Sequence, residues 1–203
     1  MQTRSVATIN NILNAARTLF NEKQYNDVSL REITEIASLT KGALYHHFAT
    51  KEGLYSKLIY SCLSEVEAAI EGSLLNSQGE HYRIRLQKIL VSFLQLSPDV
   101  RGIIRSIRRN INIFEDPMRK ALITAYQEAL PNQIEALLAE GMANGEIVST
   151  DARLLSWQHV AVVEVTLYLY DRGELGGPEK TAKSIVDLFF NGVRLPSDPK
   201  IAG

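Results

Sequence analysis

The sequence predicts an all-α protein of about nine helices, with a short N-terminal helix-turn-helix domain and a larger helical domain behind it. Three observations carry this reading. Apolar residues recur at steps of three and four along most of the chain. Alternating strand-like runs are scarce, and no tight hairpin turn lies between two of them. Capping and breaking residues punctuate the chain at helical spacing.

The elements follow in order. Ile9, Ile12, Leu13, Ala16 and Phe20 form the apolar face of a first helix. Ser29, with Glu32 three residues on, is a capping box that opens a short helix through Ala37. Thr40 caps a third helix that ends near His47. Thr50 caps a longer helix over 51 to about 73, and the polar stretch 76–79 breaks it. Another helix follows over about 80–96. Ser97-Pro98 and Asp116-Pro117 each read as a cap with proline at the first helical position. Pro131 lies inside the next helical pattern and is expected to kink or divide it. Asp151 caps a helix to about Asp171. Gly176-Gly177-Pro178 is a loop, and the last helix runs to about Val193. The domain boundary falls at 50/51, giving segments 1–50 and 51–203.

Composition removes several classes. The chain has 203 residues, 45% hydrophobic and 22% charged, which suits a folded protein with a substantial core. The formal charge of −1 argues against a protein that coats nucleic acid by bulk charge. That charge is unevenly shared: residues 1–60 hold seven Lys+Arg and five Asp+Glu, a net of +2, and the remainder hold fifteen and eighteen, a net of −3. Cys62 is the single cysteine and cannot make an internal disulfide, which points to a reducing cytoplasm. The first ten residues lack a signal peptide's apolar core. The longest apolar stretch, 160–170, is broken by Glu164 and Thr166 and is about half the ~20 residues a membrane span needs. A cytoplasmic location without membrane association is expected.

The sharpest local signal is the run from Ser29 to Phe48. Ile33, Ile36, Ala37, Leu39, Leu44 and Phe48 are expected to supply a compact core, and the second helix restarts three residues after the first. Such a unit presents the start of its second helix to the DNA major groove. Thr40 offers a hydroxyl and a helix N-terminus to a phosphate, and Lys41 reaches a phosphate or a guanine edge. Gly42 lets the backbone come close, and Ala43 suits a thymine methyl. Tyr45 and His46 offer polar tips on the same side. Ser29 and Lys51 can each hold a further phosphate. His46 and His47 diverge by ~100° around a helix, so they make a poor metal pair. A helix-turn-helix pattern by itself also marks an ordinary helical hairpin.

More residues than these fall in register. The run Ile12-Leu13-Asn14-Ala15-Ala16-Arg17-Thr18-Leu19-Phe20, then Tyr25 and Ile33, then Lys41 through Phe48, then Lys51-Glu52-Gly53-Leu54, resembles the DNA-binding domain of the TetR family of transcriptional regulators. The resemblance covers roughly residues 8–58, about a quarter of the chain. It departs at four places: Gln24 and Ser38 stand where the family usually has glycine, Thr34 where it has alanine, and Ala43 where threonine is frequent. Ser38 therefore faces a positive φ that glycine would adopt more cheaply. His47 resembles a family position that mainly supports structure.

The resemblance implies that the remaining residues form a ligand-sensing and dimerisation domain. The helix from Asp151 is apolar nearly all round, so both of its faces need covering. Trp157, Val160 and Val165 on it, with Ile185, Leu188 and Phe189 on the last helix, are candidates for a four-helix interface in a homodimer. Ordinary burial within one subunit is the alternative. Arg105, Tyr126, Trp157, Glu164 and Tyr168 are the candidate ligand-binding residues, although a solvated face or core packing explains each as well. No metal-ligand spacing, phosphate-binding glycine loop or nucleophile elbow is present in the sequence, so neither enzyme activity nor a cofactor is expected. The expected function is a homodimeric regulator, most simply a repressor, that binds a palindromic double-stranded operator and is released by a small-molecule effector. Its rivals are a DNA binder without such a switch and a helical interaction module.

Overall fold

Ten α-helices and two short 3-10 turns account for the regular structure of residues 2–191, the part that this computed structural model describes. The helices are α1 (Gln2–Glu22), α2 (Leu30–Ile36), α3 (Lys41–His47), α4 (Lys51–Leu75), α5 (Tyr82–Leu94), α6 (Pro98–Asn110), α7 (Met118–Ala129), α8 (Pro131–Ala143), α9 (Ala152–Asp171) and α10 (Pro178–Asn191). The 3-10 turns are Tyr25–Asp27 and Ile111–Ile113, and no strand occurs among the described residues. Pro131 divides the helix expected around it into α7 and α8, because proline lacks the N–H and its ring collides with the preceding turn. The expected end of the last helix, Val193, lies outside the described residues.

Side-chain caps start most of these helices. The Ser29 hydroxyl accepts from the Glu32 amide at 3.2 Å while the Glu32 carboxylate accepts from the Ser29 amide at 2.9 Å, a complete capping box. Thr40 accepts from the Ala43 amide, Thr50 from Gly53, Ser97 from Val100 and Asp151 from Leu154. One expected cap and one expected helix start are replaced. Asp116 does not cap α7, whose first turn has no side-chain cap; its carboxylate instead takes the Lys120 ammonium at 2.9 Å. His81 rather than Glu80 starts α5, accepting from the Arg83 amide, and Glu80 pairs with Lys88 at 2.7 Å.

The chain forms two compact units. One comprises Met1–Ala68 with Leu96–Leu130, the other Ala69–Gln95 with Pro131–Gly203. The first contains the whole segment 1–50 and adds most of α4 together with α6 and α7.

In the first unit the aromatic rings of Phe20, Tyr25, Tyr55 and Phe114 pack with centroids 4.5–5.9 Å apart. The Tyr55 hydroxyl shares a hydrogen bond with Ser106 and accepts one from the Asn110 amide, both at 2.9 Å, which ties α4 to α6. The Asn21 side chain donates to the Asp99 carbonyl at 3.0 Å, and a Cβ on Gly102 would lie 1.9 Å from its Oδ1, so a larger residue at 102 requires the Asn21 side chain to shift. Arg17 and Glu65 pair at 2.6 Å between α1 and α4. Cys62 is buried here, and desolvation pushes its thiol up to about 12, which leaves it unreactive as a nucleophile.

The second unit pairs α8 with α9 and α5 with α10. Val160, Val163, Leu167, Ile185 and Val186 supply part of its core. Arg83 joins Asp187 at 2.8 Å, and Arg85 joins Glu140 at 2.7 Å. No helix among the described residues is long and apolar enough to cross a membrane.

Candidate nucleic-acid interface

Helices α2 and α3 are each seven residues long and joined by a four-residue turn. Helices this short are marginal in isolation, so contacts outside them must hold the pair in place. Glu32 is the first such contact. The Lys23 ammonium, 2.5 Å away, together with the Ser29 amide and hydroxyl, lowers its carboxyl to about 2. From α1, the Asn11 amide donates to the Ala37 carbonyl at 2.7 Å.

The turn itself closes on Ser38. Its φ is 52°, its amide donates to Glu35 at 3.2 Å, and the next amide, Leu39, donates to Thr34 at 2.9 Å. This is a Schellman ending with serine in the left-handed position that glycine usually fills. The positive φ expected of Ser38 is therefore present.

The core of the motif is narrower than the sequence predicted. Ile33, Ala37, Leu44 and Phe48 are buried and Leu39 is half-buried, but Ile36 is 52% exposed. The buried stripe of α2 runs through 33, 34 and 37, which turns position 36 outward.

The sequence-predicted contact residues separate into three groups. Lys41, Gly42, Tyr45 and His46 are exposed on one side of α3, opposite buried Leu44, with Ala43 half-buried between them. The Lys41 ammonium lies 5.6 Å from the Tyr45 ring centroid, and a Cβ on Gly42 would meet nothing within 4 Å. Ser29 and Thr40 are exposed, but their side chains already serve as caps. Lys51 is different: its ammonium donates to the carbonyls of Tyr25 at 2.8 Å and Val28 at 2.9 Å and lies 4.3 Å from the Tyr25 ring centroid. The phosphate role expected of Lys51 thus meets a group already engaged inside the protein. Its position offered one clue, since a cation at the first residue of a helix opposes the helix dipole.

The other predicted residues are dispersed. Arg105 and Tyr126 belong to the first unit, half-buried and buried respectively. Trp157, Glu164 and Tyr168 belong to the second, where Trp157 and Glu164 are half-buried and Tyr168 is exposed with its hydroxyl accepting from Arg172 at 2.8 Å. Of the expected interface residues, Val160 and Ile185 are buried within their own unit, Trp157 and Phe189 are half-buried, and Val165 and Leu188 are exposed.

Two features had no sequence signal. Two adjoining open hollows of about 520 and 560 Å³ lie along α1 and α4 in the first unit, both lined by Ile9, Lys57 and Tyr60. His159 on α9 is 3% exposed, packs edge-on to Phe189, and has an Nδ1 without a hydrogen-bond partner among the described residues. Burial alone lowers its imidazole to about 4. No group of three or more potential metal ligands occurs among the described residues.

Residues 12–58 match the family model described as bacterial regulatory proteins, tetR family. The chain is 41% identical over 76 residues to the A-factor receptor protein of Streptomyces griseus, a match covering 37% of this chain and 28% of that one. It is 27% identical over 146 residues to the HTH-type transcriptional regulator UidR of Escherichia coli K12, covering 72% and 70% of the two chains. The fold superposes on the transcriptional regulator FadR from Bacillus subtilis, solved in complex with stearoyl-CoA, with a TM-score of 0.74 at 17% identity, over 91% of this chain and 98% of that one.

Proposed function

We propose that this chain, whose residues 12–58 match the tetR family of bacterial regulatory proteins, is a helix-turn-helix transcriptional regulator of that family that binds a palindromic operator as a homodimer and is released by a small molecule. The observation that carries the reading is the exposed side of α3: Lys41, Gly42, Tyr45 and His46 face solvent together while Leu44 and Phe48 anchor the helix behind them. Thr40 and Ala43 flank that side, and Ser29 stands at the start of α2. Lys41 and the polar tips of Tyr45 and His46 supply phosphate and base-edge contacts, and a second copy doubles them on the other half-site. Occupying the operator blocks whatever else must bind there, which is repression in its simplest form. The chain acts in the cytoplasm, where its DNA is, and has no catalytic role in this reading.

An exposed apolar stripe supports the dimer. Leu154, Val162, Val165 and Leu169 recur at helical spacing on the outer face of α9, and Leu188 is half-exposed on α10. Val160 and Ile185 support that surface from inside. The effector is assigned to the second unit, where Trp157, Glu164 and Tyr168 share α9; Arg105 and Tyr126, in the first unit, are no part of that assignment. FadR's complex supports an acyl thioester as the first compound to try.

The test begins with selection of duplexes from a random pool by the full chain, followed by footprinting. The expected result is a palindrome with half-sites about 34–36 Å apart, or a near multiple. A Lys41→Ala, Tyr45→Ala double variant is expected to lose ten- to a hundredfold in affinity, about 1–3 kcal/mol, with unchanged helicity. A folded double variant that binds like the parent sinks the assignment. Stearoyl-CoA is then titrated against the complex, followed by a metabolite panel. Dissociation supports the switch, and indifference to every compound favours a DNA binder without one.

A further inference from the structure

Lys51 is left over by the contact surface just described. It is the first residue of α4, where the helix dipole disfavours a cation. Its ammonium is compensated by two carbonyls and one ring, at 2.8, 2.9 and 4.3 Å. All three belong to one short stretch, the connection between α1 and α2. Tyr25 and Val28, whose carbonyls accept these bonds, have buried side chains, and Ser29, the cap of α2, comes next. Two of the three ammonium protons are thus committed to the protein.

From this geometry we infer that Lys51 is a positioning residue for DNA recognition rather than a phosphate contact. It pins the α1–α2 connection to the start of α4. That fixes where Ser29 begins α2, and α3 follows α2 through a turn whose hydrogen bonds leave little play. The inference rests on the reading that α3 meets DNA. A compact ammonium suits the role, because it can sit between two converging carbonyls and under a ring. A planar guanidinium cannot reproduce that arrangement.

The test uses the full chain and the duplex obtained by selection. Lys51→Met and Lys51→Arg are compared with the parent and with Lys41→Met over a range of salt, at a temperature where each is folded. Both Lys51 variants are expected to lose tenfold or more in affinity for the selected duplex. The ratio of selected to random duplex affinity is expected to fall, while the dependence of log affinity on log salt stays that of the parent. A phosphate contact predicts the reverse: Lys51→Met lowers that slope by about 0.9 per protomer, and Lys51→Arg binds like the parent. Either result overturns the inference. Unchanged affinity in both variants also overturns it, as does lowered thermal stability with an unchanged selected-to-random ratio. Should Lys51→Met not fold, Lys51→Arg decides the matter on the same criteria. If the parent selects no duplex, the DNA-binding reading fails instead. The brace is then judged by amide exchange over residues 25–29, faster in Lys51→Arg if the brace exists and unchanged if it does not.

Discussion

His159 sits 3% exposed on α9 with an Nδ1 unpartnered among the described residues, and its imidazole is held near about 4 by burial. In the unfolded chain the same group titrates near 6.5. Above that pH both states are neutral and the group adds no pH dependence. Below it the unfolded chain takes up a proton that the folded protein refuses, so stability falls as the pH drops from about 6.5 toward 4. Urea unfolding at pH 7 and pH 5 is expected to show a loss of about 2 kcal/mol from this group, absent in His159→Leu. An equal loss in both proteins rules the histidine out as the cause. Glu32 does not interfere, since a carboxyl lowered to about 2 loses its contribution only below the ordinary carboxylate range. Neither His159 nor Lys51 was legible in the sequence as it stands. The histidine is one polar residue in an apolar run, and the lysine's partners lie 26 and 23 residues away. Ile36 was misread for a related reason: two turns of helix are too few for periodicity to separate the buried stripe from its neighbour.

At the scale of the element, the sequence was most readable where a structure is made from near neighbours. Ser29, Thr40, Thr50, Ser97 and Asp151 were recognisable because a cap and its amide are three residues apart. The Ser38 turn belongs to the same class, and it yields a quantitative expectation. A residue with a Cβ at φ 52° costs about 1 kcal/mol relative to glycine. Ser38→Gly is therefore expected to raise the unfolding free energy by roughly 0.5–1 kcal/mol, the gain being trimmed by glycine's freer unfolded chain. A shift in denaturant midpoint at constant slope measures it, and a lower midpoint shows that the serine is not strained there. Asp116 marks the limit of this kind of reading, because Lys120 competes for the same carboxylate and wins.

At the scale of the whole molecule, the formal charge of −1 conceals a net +2 over the first sixty residues and −3 over the rest. In the proposed reading the α3 side chains, not bulk charge, therefore bear the burden of recognition, and doubling them matters. Val165, 76% exposed on α9, is the most accessible residue of the apolar stripe. Val165→Glu is expected to shift the chain from dimer to monomer in sedimentation equilibrium and to weaken operator binding at least tenfold, with helicity retained. A variant that stays dimeric places the interface elsewhere. The two compact units were not separable by sequence alone, since α6 and α7 join the first unit across the 27 residues of intervening chain from Ala69 to Gln95. The meeting of α1 and α6 has a historical corollary. A side chain at position 102 requires the Asn21 amide to swing aside, because the added carbon would lie 1.9 Å from Oδ1 where it now stands. Descendants of this chain can change these two positions together, or shrink residue 21 first, whereas an exchange at 102 alone gives up the hydrogen bond from Asn21 to the Asp99 carbonyl.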